Sequence, residues 1–440
     1  MEDLAAQPLT PSEVPTPPDA MTTATPSLGQ SILDHADALA RHSDMEGGLT
    51  CAYLTPAHRQ AQALLARWME DAGMAVRVDA IGNVIGRYAA DPAEANPKVL
   101  MTGSHFDTVR NGGRYDGRLG ILLPIAVVGA LRDAGIRLPY HLDVVAFAEE
   151  EGLRFKTSFL ASSVLAGRFD PALLDRTDAD GVTMREALAA AGLPGGGGLD
   201  ALRAAAVDPA TLAGFVEVHI EQGPVLLNRG LPLGIVTQIA GSSRFQVRVE
   251  GLASHAGTTP MDMRRDAATG AAEMILLVEQ RCAQVPTLVG TVGQLQVPNG
   301  SSNVIPAACV FSMDIRAGED GIREAAIADI VAGIERIAVR RGLTAAVERV
   351  TPVNNAPCAR WLMDQFAAVL KKRGAQAFEL PSGAGHDAMM MQRITDVAML
   401  FVRCGNGGIS HNPLETITVE DAQQAAEVFV DFLRHFRAAA

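Results

Sequence analysis

The chain has 440 residues, 48% of them apolar and 20% charged, enough for one to three globular domains with a buried core. Its formal charge of −13 argues against nucleic acid and anionic membrane surfaces as partners. No apolar run approaches the roughly 18 residues that a membrane-spanning helix needs, and an anionic small ligand would have to be held by local positive groups.

Residues 1–27 are rich in Pro, Thr, Ser and Ala and contain no Lys or Arg, so they read as a disordered tail rather than a signal peptide, with Met21 as an alternative start. The five cysteines are scattered without a CxxC pair, which points to reduced thiols in a cytoplasm. Thr55-Pro56 opens a helix that runs through Leu64, Leu65 and Trp68 to Gly73. Strand-like runs follow at Val76–Val78, Asn83–Tyr88, Lys98–Thr102 and Leu142–Ala148, with a helical pattern over Leu119–Ala134. That alternation predicts an α/β layer with a mixed, largely parallel sheet flanked by helices. From Phe169 to Leu212 the chain is Ala-rich and broken by Gly195–Gly198, which reads as helices joined by a flexible loop.

A second pattern begins near Gly241. Phe245–Glu250, Leu288–Leu295, Cys309–Arg316 and Ala345–Val350 read as strands, and Asp266–Gln284 and Gly321–Arg341 as helices. The order β-α-β-β-α-β is ferredoxin-like. It begins and ends inside the chain, so residues 241–354 are expected to be an inserted α+β domain, with 28–240 and 355–440 forming the first domain.

Of ten histidines, His35, His42, His58, His141 and His435 read as surface or satisfied structural residues. The other five, His105, His219, His255, His386 and His411, lie in Gly-rich or acidic clusters beside strand ends, where α/β folds place their sites. His105 ends a hydrophobic strand, and alternation puts Asp107 on its side of the chain, able to receive the second imidazole N–H. Asp116 follows the Gly112-Gly113 loop, which can bend it back. Glu149-Glu150-Glu151 come directly after a buried strand, where three adjacent carboxylates repel one another and cations relieve them. His219 and His411 each stand just past a strand. Any one cluster alone is commonly a polar turn; together they offer three imidazoles with carboxylates at 116 and 151, a donor set for Zn²⁺, Mn²⁺, Co²⁺ or Ni²⁺.

These ordered motifs, GSHFD, YDG, EEEG, HIEQGP and SHNP, resemble the ureido-hydrolysing branch of the aminoacylase and carboxypeptidase-type dinuclear metallohydrolases, from about residue 30 onward. The resemblance implies a zinc-peptidase-like catalytic domain with an inserted lid and dimerisation domain. It implies that His105, Asp116, Glu151, His219 and His411 hold two divalent ions per subunit, that Asp116 bridges them and that Glu150 is the general base. His255, in Ala253–Met261, matches a lid histidine that reaches the partner subunit's site and stabilises an oxyanion. Asn303 and Arg316 match residues that bind the substrate carboxylate, and Gln222, Arg244 and His386 match other substrate contacts. The implied partners are a small anionic ureido substrate and a second copy of the chain. The run Met399–Cys404 leading into Gly408–His411 is nearest to allantoate-hydrolysing members, with N-carbamoyl-L-amino acids or N-carbamoyl-β-alanine as alternatives. A dipeptidase and an inactive homologue are the remaining readings.

Overall fold

The computed structural model describes residues 27–439. The expected tail and Met21 lie outside them except for Ser27, whose hydroxyl accepts from the Gln30 N–H and caps α1 (Leu28–Ala40). In chain order there follow α2 (Pro56–Asp71), β1 (Ala75–Val78), β2 (Val84–Tyr88), β3 (Val99–His105), α3 (Leu119–Asp133), β4 (His141–Phe147), α4 (Leu160–Leu165), α5 (Met184–Ala190), α6 (Leu199–Ala204), β5 (Leu212–Ile220), α7 (Val225–Arg229) and β6 (Leu233–Ile239). The intervening segment holds β7 (Gly241–Glu250), α8 (Ala267–Cys282), β8 (Leu288–Thr291), β9 (Leu295–Gln296), β10 (Ala308–Ala317), α9 (Asp320–Arg341) and β11 (Thr344–Val353). The chain ends with β12 (Ala356–Pro357), α10 (Arg360–Lys372), β13 (Glu379–Ser382), α11 (Ala388–Met391), β14 (Val397–Val402) and α12 (Val419–His435).

A nine-stranded sheet runs β1-β2-β4-β3-β5-β14-β6-β12, with β13 also paired to β6. Its central strands β4, β3, β5 and β14 are parallel. Covered by helices on both faces, β3 and β14 are buried at every position, which is why they read as unbroken apolar runs. Helices α1, α3 and α12 pack on one another, and Phe366 of α10 stacks on Phe432 of α12 at 4.0 Å. Because the four parallel strands point the same way, their C-terminal ends gather His105, the 149–151 acids, His219 and the 408–411 loop at one rim.

The second sheet runs β11-β7-β10-β8, every neighbour antiparallel, with its own core under α8 and α9. This is the strand arrangement that the ferredoxin-like order predicts. The expected strand Leu288–Leu295 is split into β8 and the two-residue β9. On β7 and β10 alternate residues such as Phe245, Val247, Phe311, Met313 and Ile315 face the helices. Arg244, Ser312, Asp314 and Arg316 therefore share the face opposite α8 and α9.

One local expectation is corrected. Gly195–Gly198 is not a flexible loop: residues Pro194–Gly197 form a 3₁₀ turn in which the Gly195 N–H donates to Ala80 O at 3.0 Å. A Cβ at Gly195 would lie 2.4 Å from that oxygen, so the missing side chain serves close docking. His58 falls in the structural rather than the surface class expected of it, for it is fully buried. Its Nε2 donates to Ala148 O at 2.7 Å and its ring stacks on Phe106 at 4.4 Å.

Candidate metal centre and active-site cleft

Asp116 stands between two sets of side chains. Its Oδ1 lies 3.3 Å from His219 Nε2 and 3.9 Å from His105 Nε2. Its Oδ2 lies 3.1 Å from His411 Nε2, which in turn is 3.4 Å from Glu151 Oε1. Donor atoms of His105, Asp116 and His219 fall within 4.8 Å of one another, and so do those of Asp116, Glu151 and His411. A third such group joins His105 to Glu150 and Glu151. The five residues that the motifs single out as ligands thus converge, as two triads sharing one carboxylate.

Local structure fixes each one. Gly117 has a φ of +67° and a Cβ there would sit 2.4 Å from the His105 ring, so the turn after Asp116 closes on the imidazole only without a side chain. His219 Nδ1 donates to Ile220 O at 2.8 Å, which leaves Nε2 unprotonated toward Asp116. Burial holds the His219 imidazole down at about 4, so it is neutral and fit to ligate. His105 Nδ1 is 3.1 Å from the Asp107 carbonyl oxygen and 3.4 Å from its carboxylate, so the backbone shares the orienting role expected of the side chain. The Asp107 carboxylate instead accepts the backbone N–H groups of Glu150 and Glu151 at 3.0 and 3.1 Å, tying the end of β3 to the acidic loop after β4. His411 and Gln222 both adopt left-handed φ values, +54° and +56°, an expenditure of backbone strain concentrated at the site.

The electrostatics suit cations. Glu149 and Glu150 are fully buried, and burial together with the neighbouring carboxylates pushes both well above the usual range. Glu151 is raised to about 7 by burial and by Asp116. Burial would raise Asp116 too, but the hydrogen bond from His411 and the three imidazoles hold it below its ordinary value. Among the described residues no Lys or Arg pairs with Asp116, Glu150 or Glu151. Acids gathered without a Lys or Arg counter-charge, beside three imidazoles, fit divalent ions.

The cleft over this rim encloses about 470 Å³ and is lined by the five convergent residues, Glu150, Gln222, Arg244 and Arg316. Gln222 Nε2 donates to both Asp116 oxygens at 3.0 Å. Arg316 reaches in from β10 and donates through Nη1 to Gly383 O at 3.1 Å, bridging the two sheets. His386 does not open to the cleft: it is buried, its Nε2 2.8 Å from Ser382 Oγ and its ring edge-on to His219 at 4.4 Å. His255 and Asn303 are held together by the bridge between His255 and Val304 and by the Ala256 N–H donating to Asn303 O. Both are exposed and neither lines the cleft of its own chain.

Sequence reasoning passed over Glu415, Ser410, Glu217 and Asp387. Glu415 Oε1 accepts the N–H groups of Tyr115 and Asp116, and its Oε2 accepts from Ser410 Oγ at 2.7 Å. Glu217, buried behind His219, accepts from Ser104 Oγ at 2.7 Å and from the Ala388 N–H. The only signal for Glu415 was its place four residues after His411.

A mixed sheet whose parallel strand ends carry imidazoles and carboxylates around one shared aspartate is the architecture of a metal-dependent hydrolase. The chain matches Peptidase family M20/M25/M40 over residues 101–435 and belongs to that family. It is 38% identical over 434 residues to a probable allantoate deiminase of Oryza sativa subsp. japonica, covering 90% of this chain and 86% of the relative. It is 40% identical over 382 residues to an N-carbamoyl-L-amino acid amidohydrolase of Geobacillus stearothermophilus, covering 87% and 92%. Among solved structures, a hydantoinase/carbamoylase-family amidase from Burkholderia multivorans superposes with a TM-score of 0.83 at 33% identity, over 92% of this chain and 97% of that one. The protein is a hydrolase of the amidohydrolase type acting on carbon–nitrogen bonds, in a metal-dependent family.

Proposed function

We propose that this chain hydrolyses the terminal ureido group of allantoate, with two divalent ions per subunit, Zn²⁺ or Mn²⁺ first among them. The observation that carries the reading is Asp116, whose two oxygens face separate triads, in a chain akin to allantoate deiminases over most of its length. His105, Asp116 and His219 would hold one ion, and Asp116, Glu151 and His411 the other. Bound there, the ions supply Lewis-acid polarisation of the ureido carbonyl and acidify water.

Glu150, buried and lining the cleft beside Glu151, takes the proton of the attacking water and returns it to the leaving nitrogen. Water adds to the ureido carbonyl, the bond to the substituted nitrogen breaks, and the carbamate released falls to ammonia and carbon dioxide. Arg316 binds the substrate carboxylate, joined by Asn303 when the 241–354 segment closes, and Gln222, Arg244 and His386 line or support the pocket. His255 and Asn303 lie outside the cleft of their own chain, which supports a homodimer in which the 241–354 segment acts as lid and interface and delivers His255 to the second copy's oxyanion. The five free cysteines support a reducing, cytoplasmic setting. No helix among the described residues is long and apolar enough to cross a membrane.

Hydrolysis of N-carbamoyl-L-amino acids is the second reading, favoured by the 40% identity to the Geobacillus relative. Ammonia release from metal-loaded protein given allantoate, N-carbamoyl-L-amino acids, N-carbamoyl-β-alanine or a dipeptide decides among them. Allantoate is expected to be turned over fastest, and no ammonia from it would overturn the first choice.

A further inference from the structure

Beside the catalytic cleft, the face of the second sheet opposite α8 and α9 forms a cavity of about 990 Å³ that shares Arg244 and Arg316 with it. Between these arginines stands Asp314. On β10 it lies two residues from Arg316, on the same face, and it is in register with Arg244 of β7. Arg316 grips it side-on, Nε to Oδ1 and Nη2 to Oδ2, each at 3.0 Å. Arg244 gives it only Nε, at 3.2 Å from Oδ2. Neither Arg244 Nη makes a hydrogen bond among the described residues, and the side chain is 58% exposed. The three groups form one clamp with two positive charges and one negative, so its net charge is a single positive.

We infer that Asp314 is a specificity-determining residue that sets the clamp's charge to match one carboxylate, selecting monocarboxylate ureido acids against dicarboxylate ones. This rests on the reading of the cleft as a ureido-acid site. An unopposed Arg244–Arg316 pair would carry two positive charges and welcome a second carboxylate. With Asp314 between them, a second carboxylate meets a fixed negative charge in a half-buried setting where screening is incomplete. Asp314 also holds both guanidinium planes in place, so its loss alters charge and order together, and the two effects separate in the ratio of diacid to monoacid affinity.

The test measures binding by calorimetry on the metal-free chain, where turnover does not interfere, with N-carbamoyl-L-methionine as monoacid and N-carbamoyl-L-glutamate as diacid. In Asp314→Asn the ratio of affinities should move about tenfold toward the diacid, the effect of one unit charge about 6 Å away at intermediate dielectric. Asp314→Glu, which keeps the charge, should keep the wild-type ratio. Arg244→Met, which takes the clamp to neutral, should move the ratio the opposite way and stands in if Asp314→Asn fails to fold. Equal weakening of both ligands in these variants, or binding of neither ligand to wild type, overturns the inference. Failure of the ureidohydrolase reading shows separately, as metal-loaded wild type that releases no ammonia while the binding ratio still shifts.

Discussion

Glu415 Oε1 accepts the backbone N–H of Asp116 at 3.1 Å, across 299 positions of sequence. The same oxygen accepts the Tyr115 N–H at 2.9 Å, so the loop that presents the shared carboxylate is pinned from the far end of the chain. Glu415→Ala should therefore weaken ion binding by about 10–100-fold, the usual cost of losing a group that orients a ligand. Titration of the metal-free variant with Zn²⁺ or Mn²⁺ measures it. Glu415→Gln, which keeps an acceptor oxygen, should recover most of the loss, and wild-type affinity in the alanine variant would dismiss the pin.

Glu150 lines the cleft and shares a donor group with His105 and Glu151, yet it belongs to neither of the triads around Asp116. Glu150→Gln is expected to bind ions as wild type does and to lose about 10²–10⁴-fold in turnover, the range for a positioned acid–base group. Metal content and the rate of ammonia release, read on one preparation, separate the two effects.

His219 belongs to one triad and His411 to the other. Elemental analysis should find two ions per wild-type chain and one in either His219→Ala or His411→Ala. Dialysis against a chelator should abolish activity, and Zn²⁺ or Mn²⁺ should restore it. A single ion in wild type would contradict the shared-carboxylate arrangement.

His58 makes stability depend on pH. Burial holds its imidazole at about 4, below the ordinary 6.5. The folded form therefore refuses a proton that the unfolded chain accepts. The stabilisation is complete above pH 6.5 and is lost as pH falls toward 4, about 3 kcal/mol over that span. His58→Gln removes the titrating group, so the stability gap between wild type and variant, taken from urea unfolding, should shrink by that amount from pH 7 to pH 4. A constant gap would clear His58 of the effect.

Much of the fold was legible because buried parallel strands such as Val397–Val402 read as unbroken apolar runs, and half-buried ones such as Phe245–Glu250 as alternation. The five convergent residues were legible because each stands next to a strand end in a short motif. Other features escaped for physical reasons. Glu415 acts on backbone N–H groups remote in sequence, which no local pattern encodes. Asp387 and Glu217 are buried acids whose burial is decided by neighbouring strands, not by their own context. The Gly195 turn looked loose because glycine runs permit motion as readily as close packing, and only the Ala80 oxygen tells them apart. His386 showed the reverse: its motif implied contact with substrate, but its ring packs behind His219.

The place of β14 between β5 and β6 has a consequence for how the protein is made. While the chain emerges from the ribosome, His105, Asp116, Glu151 and His219 are all available before the strand that closes the sheet has been synthesised. Until Val397–Val402 inserts, β5 and β6 each present an open edge, and neither His411 nor Glu415 exists to complete the rim. Closure of the rim therefore waits for β14, and a product cut short before it would carry an ion-attracting half-site on an unfinished sheet.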